Sequence, residues 1–131
     1  MRYRLIGTSG LRVSTIGFGT WALGGGFPWG LQDQADALEA LRAAYEEGVT
    51  LFDTAPAYGD GAAERLVGEA LASVRDRVVI ATKAPSEELA PKALKAACDR
   101  SLENLKTEHI DLYQIHWPNS KIKIEDTFAA L

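Results

Sequence analysis

Four residues of different chemistry sit at matching phases of a repeating pattern. Asp53, Lys83 and His116 each close a short apolar run, and Tyr58 lies shortly after Asp53. The runs, residues 49–53, 78–83 and 110–116, follow one another at roughly 30-residue intervals, the length of one βα unit. In a parallel sheet flanked by helices the strand C-termini open on one rim, where ligand sites collect. A carboxylate, a phenol, an ammonium and an imidazole would thus converge on one mouth although none is adjacent to another in sequence. A phenol, with a reference pKa of ~10, is a weak acid at neutral pH but a good donor to the alkoxide formed when a carbonyl is reduced. A neighbouring ammonium favours the phenolate, a carboxylate keeps the ammonium charged and directed, and an imidazole can orient a carbonyl oxygen. General acid catalysis of this kind is worth about 10²–10⁴ in rate. No side chain donates hydride, so a nicotinamide cofactor is the expected companion.

The elements that must position these residues follow from hydrophobic periodicity. A first run at residues 14–20 leads into a loop at 23–30 too rich in Gly and Pro to be helical. A helix is expected from Asp33, an N-cap residue type, with Ala37, Leu38, Leu41, Ala44 and Tyr45 on one face and a stop at Gly48. After the run at 49–53, a second helix presents Leu66, Val67, Ala70, Leu71 and Val74. After that at 78–83, a third has Pro91 in its first turn and a stripe of Leu94, Ala97, Cys98, Leu102 and Leu105. The run at 110–116 precedes Pro118 and then Ile124, Thr127, Phe128 and Leu131 at helical spacing. Ahead of the repeat, residues 3–6 and 11–14 flank Gly7-Thr8-Ser9-Gly10, which predicts a hairpin over 1–14 that covers one end of a sheet. The expected class is α/β: a hairpin and about four parallel βα units in one partial domain over 1–131. The last helical pattern reaches Leu131 in mid-period without a Gly, Asn or Pro stop signal, so the chain is expected to break off inside its fourth unit.

Composition excludes several function classes. The chain has 131 residues, 14 Lys+Arg against 18 Asp+Glu and a formal charge of −4, which disfavours an electrostatic nucleic-acid binder. Its 47% hydrophobic and 24% charged content suits a globular core. No apolar stretch approaches the ~18 residues of a membrane span, and Met1-Arg2-Tyr3-Arg4 lacks a signal-peptide core, so no membrane partner is expected. The single cysteine, Cys98, forms no internal disulfide and reads as a small core residue; no Cys/His cluster has zinc spacing, so no metal is expected. A reduced, cytoplasmic setting is the expectation. A closed eight-stranded α/β barrel typically takes ~250 residues, more than are present here.

Gly17-Phe18-Gly19-Thr20-Trp21, Phe52-Asp53-Thr54-Ala55-Pro56-Ala57-Tyr58-Gly59, Ala81-Thr82-Lys83 and Asp111-Leu112-Tyr113-Gln114-Ile115-His116-Trp117-Pro118 resemble the aldo-keto reductase family. The resemblance runs from the hairpin to the last residue and implies the N-terminal half of a TIM-type (β/α)₈ barrel. It implies Tyr58 as proton donor, Lys83 as modulator of its acidity, Asp53 as the buried carboxylate and His116 as the residue orienting the carbonyl. It also implies NADPH, with NADH not excluded, bound without a Rossmann domain, and an aldehyde or ketone substrate. By the same resemblance Gly19, Thr20, Trp21 and Asp53 lie on the cofactor side and Trp21, Trp29, His116 and Trp117 on the substrate side. One departure is Ala63 before Glu64, where the family often has serine. Family contacts to the nicotinamide amide and the 2′-phosphate come from later strands.

Each residue also has a structural explanation. Asp53 could cap a turn, since Asp-Thr-Ala-Pro reads as one; Lys83 could be a solvated strand end, His116 a hydrogen-bonded core histidine, and the Trp residues loop packing. Gly17-x-Gly19-x-x-Ala22 formally fits a dinucleotide fingerprint, but a Gly-rich loop follows in place of the helix whose N-terminus would face a pyrophosphate. Gly59-Asp60-Gly61 is more simply a turn into the next helix than a phosphate loop. The rival to an enzyme is a non-catalytic half-barrel. Four strands without closure leave two edges and an apolar inner face, so self-association is expected, with two copies completing one barrel. A subunit that binds nicotinamide cofactor with little turnover is a third reading.

Overall fold

A computed structural model describes residues 1–131. The elements are β1 (Tyr3–Leu5), β2 (Arg12–Ser14), β3 (Gly17–Gly19), α1 (Gln34–Glu46), β4 (Leu51–Asp53), α2 (Ala62–Leu71), β5 (Val79–Ala84), α3 (Pro91–Leu105), β6 (Leu112–Ile115) and α4 (Ile124–Phe128). Strands β3 to β6 form one sheet in sequence order and are all parallel, while β1 and β2 make a separate antiparallel hairpin. This is the α/β class with a parallel sheet expected from the alternating pattern, in the arrangement of the partial barrel that the family resemblance implies. Short 3₁₀ turns at Ala22–Gly24, Ala72–Arg77 and Ser86–Glu88 punctuate the loops.

Strand alternation divides the sheet into two chemistries. Phe18, Phe52, Ile80, Thr82, Ala84, Tyr113 and Ile115 point to the helices. There Phe52 and Ile80 join Leu41, Val67, Leu71 and Leu105 in the main core, and Ala84 packs with Leu89 and Leu94 in a second cluster. The opposite, inner face carries Leu51, Val79, Ala81 and Leu112 at its floor, but Asp53, Lys83 and Gln114 towards the C-terminal rim. It is therefore apolar only in part. The hairpin sits at the other end. Ser14 N–H donates to Thr50 Oγ1 and Thr50 N–H donates to Ser14 Oγ, both at 2.9 Å, just before β4 begins.

Local signals account for the helix ends. Asp33 Oδ1 accepts from the N–H groups of Ala35 at 2.8 Å and Asp36 at 3.1 Å, satisfying two otherwise unpaired donors of the first turn. Pro91 opens α3, where a missing N–H costs nothing. Three expectations need correction. Val74 lies beyond α2, because the chain tightens into a 3₁₀ turn after Leu71 and Val74 itself leaves helical geometry. Cys98 is only half-buried, since α3 turns Leu94, Ala97, Ser101 and Leu105 inward and leaves Cys98 at the margin of that stripe. Helix α4 ends at Phe128, so Leu131 lies beyond it, and of the expected face only Thr127 is buried, while Ile124, Phe128 and Leu131 are exposed.

Helices α2 and α3 approach closely at Gly68, where an added Cβ would lie 2.2 Å from the Leu105 carbonyl oxygen. Helix propensity alone favours Ala over Gly by about 1 kcal/mol, whereas forcing apart a packed helix pair costs about 1–3 kcal/mol. The clash is with backbone and cannot be relieved by a rotamer, so it should dominate. Gly68→Ala is expected to lower the urea midpoint; a raised midpoint would show that α2 and α3 separate freely.

Candidate active site

Three consecutive strand ends deliver the site. β4 ends at Asp53, β5 carries Lys83 at its fifth residue and His116 directly follows β6. Backbone hydrogen bonds align these ends: Thr54 N–H to Ala81 O at 2.8 Å, and His116 N–H to Ala84 O at 3.1 Å. Lys83 Nζ then donates to Asp53 Oδ1 at 2.7 Å, to the Thr54 carbonyl at 2.8 Å and to Tyr58 Oη at 3.1 Å. An ammonium has three donors and no acceptor, so all three are used and the phenol must be the acceptor in the last contact. The Tyr58 hydroxyl proton is left to donate elsewhere. His116 completes the group, edge-on to Tyr58 with ring centroids 5.8 Å apart. The structure thus brings together all four residues singled out by spacing.

Burial pushes the His116 imidazole below its ordinary value, and the Lys83 ammonium adds to that; Asp53 and Glu87 pull the other way without prevailing. At neutral pH the ring is uncharged, with one N–H to donate. A second phenol, Tyr113, lies on the helix side of the sheet, where its hydroxyl has no partner and burial drives its acidity down. It faces away from the mouth.

The loop holding Tyr58 is clamped by glycines. Gly59 and Gly61 have positive φ, as does Asp60 between them, so Gly59-Asp60-Gly61 is the expected turn into α2. A Cβ on Gly24 would sit 2.6 Å from the Tyr58 carbonyl carbon, so the 3₁₀ turn of the first loop rests directly on the Tyr58 backbone. Immediately before that turn stands Trp21, whose ring is 6.3 Å from Tyr58 and packs edge-on against Trp29 at 5.5 Å. Trp117 stacks on His116 at 6.0 Å. All three Trp residues are substantially exposed and form an aromatic border to the mouth. A groove of about 500 Å³ between the first loop and α2, lined by Gly25, Gln32, Arg65 and Lys106 among others, contains none of the four central residues.

The residues expected on the cofactor side divide. An added Cβ on Gly19 meets nothing within 4 Å, and the second oxygen of Asp53 accepts no hydrogen bond, so both offer surface to a ligand. Thr20 is fully buried and its hydroxyl donates to the Asp53 carbonyl at 3.0 Å. Its side chain holds two strand ends together and does not face the mouth. The 3₁₀ turn after Gly19, with α1 beginning only at Gln34, also rules out a dinucleotide fingerprint. Sequence reasoning missed the Thr54 carbonyl as the third Lys83 acceptor, because every residue has a carbonyl and composition does not single one out. It also missed the contact of Gly24 with Tyr58, for which the run of glycines was the only signal. No group of His, Cys, Asp and Glu is placed to hold a metal ion, and no helix is long and apolar enough to cross a membrane.

A profile of the aldo/keto reductase family matches residues 15–131. The chain is 43% identical to the aldo-keto reductase YhdN of Bacillus subtilis, an alignment covering 97% of this chain and 41% of that protein. A thermostable aldo-keto reductase solved with the inhibitor epalrestat superposes with a TM-score of 0.92 at 34% identity, covering 99% of this chain and 48% of that one. An aldo/keto reductase from Klebsiella pneumoniae solved with NADP and acetate gives 0.83 at 37% identity, covering 91% and 40%. The chain therefore spans less than half the length of these relatives.

The lowered His116 value has a measurable sign. Its NMR titration midpoint is expected below 6.5, and Lys83→Met should raise it part of the way back, because burial remains. Between the folded value and 6.5 the unfolded chain binds more protons, so His116 contributes stability that is lost as pH falls through that window. A midpoint at 6.5 would mean that the ring is solvated, and one above it that the Asp53 and Glu87 carboxylates outweigh burial and Lys83.

Proposed function

The chain belongs to the aldo/keto reductase family, and on that premise we propose that it forms the N-terminal half of a (β/α)₈ barrel that reduces aldehydes or ketones to alcohols with NADPH. The observation that carries this reading is the Lys83 ammonium, bonded at once to Asp53, Thr54 and Tyr58, which leaves the phenolic proton directed outward. Neutral His116 donates its N–H to the substrate carbonyl oxygen and holds the carbonyl towards the phenol. A bound nicotinamide supplies the hydride to the carbonyl carbon. Tyr58 then releases its proton to the oxygen as negative charge develops there, and Lys83 stabilises the resulting phenolate, with Asp53 compensating the ammonium. Gly19 and Asp53 fit the cofactor side because both leave surface open, and Trp21, Trp29 and Trp117 fit the substrate side as an aromatic border. Support for NADPH comes from the similar Klebsiella structure solved with NADP; NADH is the alternative donor. The unpaired thiol of Cys98 suits a cytoplasmic protein.

A second reading is favoured by the two free sheet edges at β3 and β6. An isolated chain of this length can satisfy those edges and cover Leu51 and Leu112 by pairing with a second copy, which would close eight parallel strands.

Two measurements test these readings. In the complete reductase, Tyr58→Phe should lower carbonyl reduction by about 10²–10⁴ while NADPH binding, followed by its fluorescence, is unchanged; near-normal turnover would remove Tyr58 as donor. Light scattering of the isolated chain should report a dimer or larger species, and a compact stable monomer would count against pairing of half-barrels.

A further inference from the structure

Glu64 is fully buried, yet no cation lies against it. Its Oε1 accepts from the Thr82 hydroxyl at 2.7 Å and its Oε2 from Asn104 Nδ2 at 2.9 Å. Arg65 stops one residue away, donating to Asn104 Oδ1 at 3.3 Å and to the Asp60 carbonyl at 3.2 Å. Burying a carboxyl group with only neutral donors is costly, and an apolar side chain of similar volume would be easier to bury. Stability alone does not explain the residue.

Its connections give a better account. Thr82 points to the helices and Lys83, the next residue of β5, points into the mouth. The Tyr58 carbonyl accepts from Ala63 N–H at 3.2 Å, so the tyrosine backbone is tied to the first turn of α2, immediately before Glu64. Tyr58, Ala63, Glu64, Thr82 and Lys83 thus form a closed ring of links, sealed by the 3.1 Å contact of Lys83 Nζ with Tyr58 Oη. Within that ring the Glu64–Thr82 hydrogen bond is the connection between the tyrosine's helix and the lysine's strand. The close approach at Gly68 brings α3 near enough for Asn104 to hold the second oxygen.

We propose that Glu64 is a positioning residue for the Tyr58–Lys83 pair, acting through Thr82 from behind the sheet. The proposal rests on the reading of that pair as the proton-donating machinery, but its test does not depend on turnover. In the full 131-residue chain, the NMR cross-relaxation between the Lys83 ε-methylene and the Tyr58 ring reports their contact directly, Nζ being 4.8 Å from the ring centroid. The cross-peak is expected to be lost in Glu64→Leu and in Thr82→Val. It should persist in Glu64→Gln, whose amide oxygen still accepts from Thr82, and in Leu66→Ala, which removes core contacts on the same helix without touching the ring. If Glu64→Leu does not fold, Thr82→Val decides alone, since it deletes only the hydroxyl donor. A cross-peak of undiminished strength in Thr82→Val overturns the proposal, as does an equal loss in Leu66→Ala, which would make the effect one of general stability. Failure of the reductase reading is a different result, seen as undiminished carbonyl reduction by Tyr58→Phe.

Discussion

The Lys83 ammonium is the constraint around which the site is organised. It is a point charge with three donors, 14% exposed at its side chain, and such a group is tolerated out of water only when every donor is matched and an opposite charge is close. Asp53 supplies the charge and one acceptor, the Thr54 carbonyl the second, and Tyr58 the third. The charge of the lysine fixes the polarity of its contact with the tyrosine, because an ammonium has no lone pair with which to accept. The phenol must take the acceptor role there and direct its own proton away. A requirement of burial thereby sets the direction in which the hydroxyl proton points.

Meeting that requirement depends on the sheet. The parallel register sets Asp53 beside Ala81 and so carries Lys83 two residues further towards the rim, where it pairs with Gln114, and His116 leaves β6 two residues beyond Gln114. Alternation then sends large apolar residues to the helices and polar ones into the mouth. The same geometry separates stability from chemistry along the strands. The hairpin and the Ser14–Thr50 hydrogen bonds close the far end, while the loops after β3, β4 and β6 bring aromatic rings to the rim. Backbone-to-backbone contact between the first loop and the Tyr58 segment leaves no room for a side chain at Gly24, so the border and the phenol are held as one body.

Much of this was legible in the chain itself. The helix starts at Asp33 and Pro91, the turn at residues 59–61 and the hairpin rest on local chemistry: side-chain capping, a fixed φ, and residues that accept positive φ. Local rules failed where a neighbouring element intervened. Val74 carries the right spacing for α2 but falls in a 3₁₀ turn, and Cys98 lies on a helical stripe whose buried centre is elsewhere. Thr20, which the family resemblance places on the cofactor side, is buried with its hydroxyl donating to the Asp53 carbonyl.

Residue order along the chain set the alternation of strands and helices and the phase at which Asp53, Lys83 and His116 recur. Period and length are properties of a chain read in one dimension. Tertiary structure alone decided which atoms meet: that the third Lys83 acceptor is the carbonyl of Thr54, that Thr20 turns inward, that Gly24 lies on Tyr58 and that Glu64 grips Thr82 from behind. Those contacts join residues distant along the chain, and they depend on distances of a few ångströms that spacing in sequence does not encode.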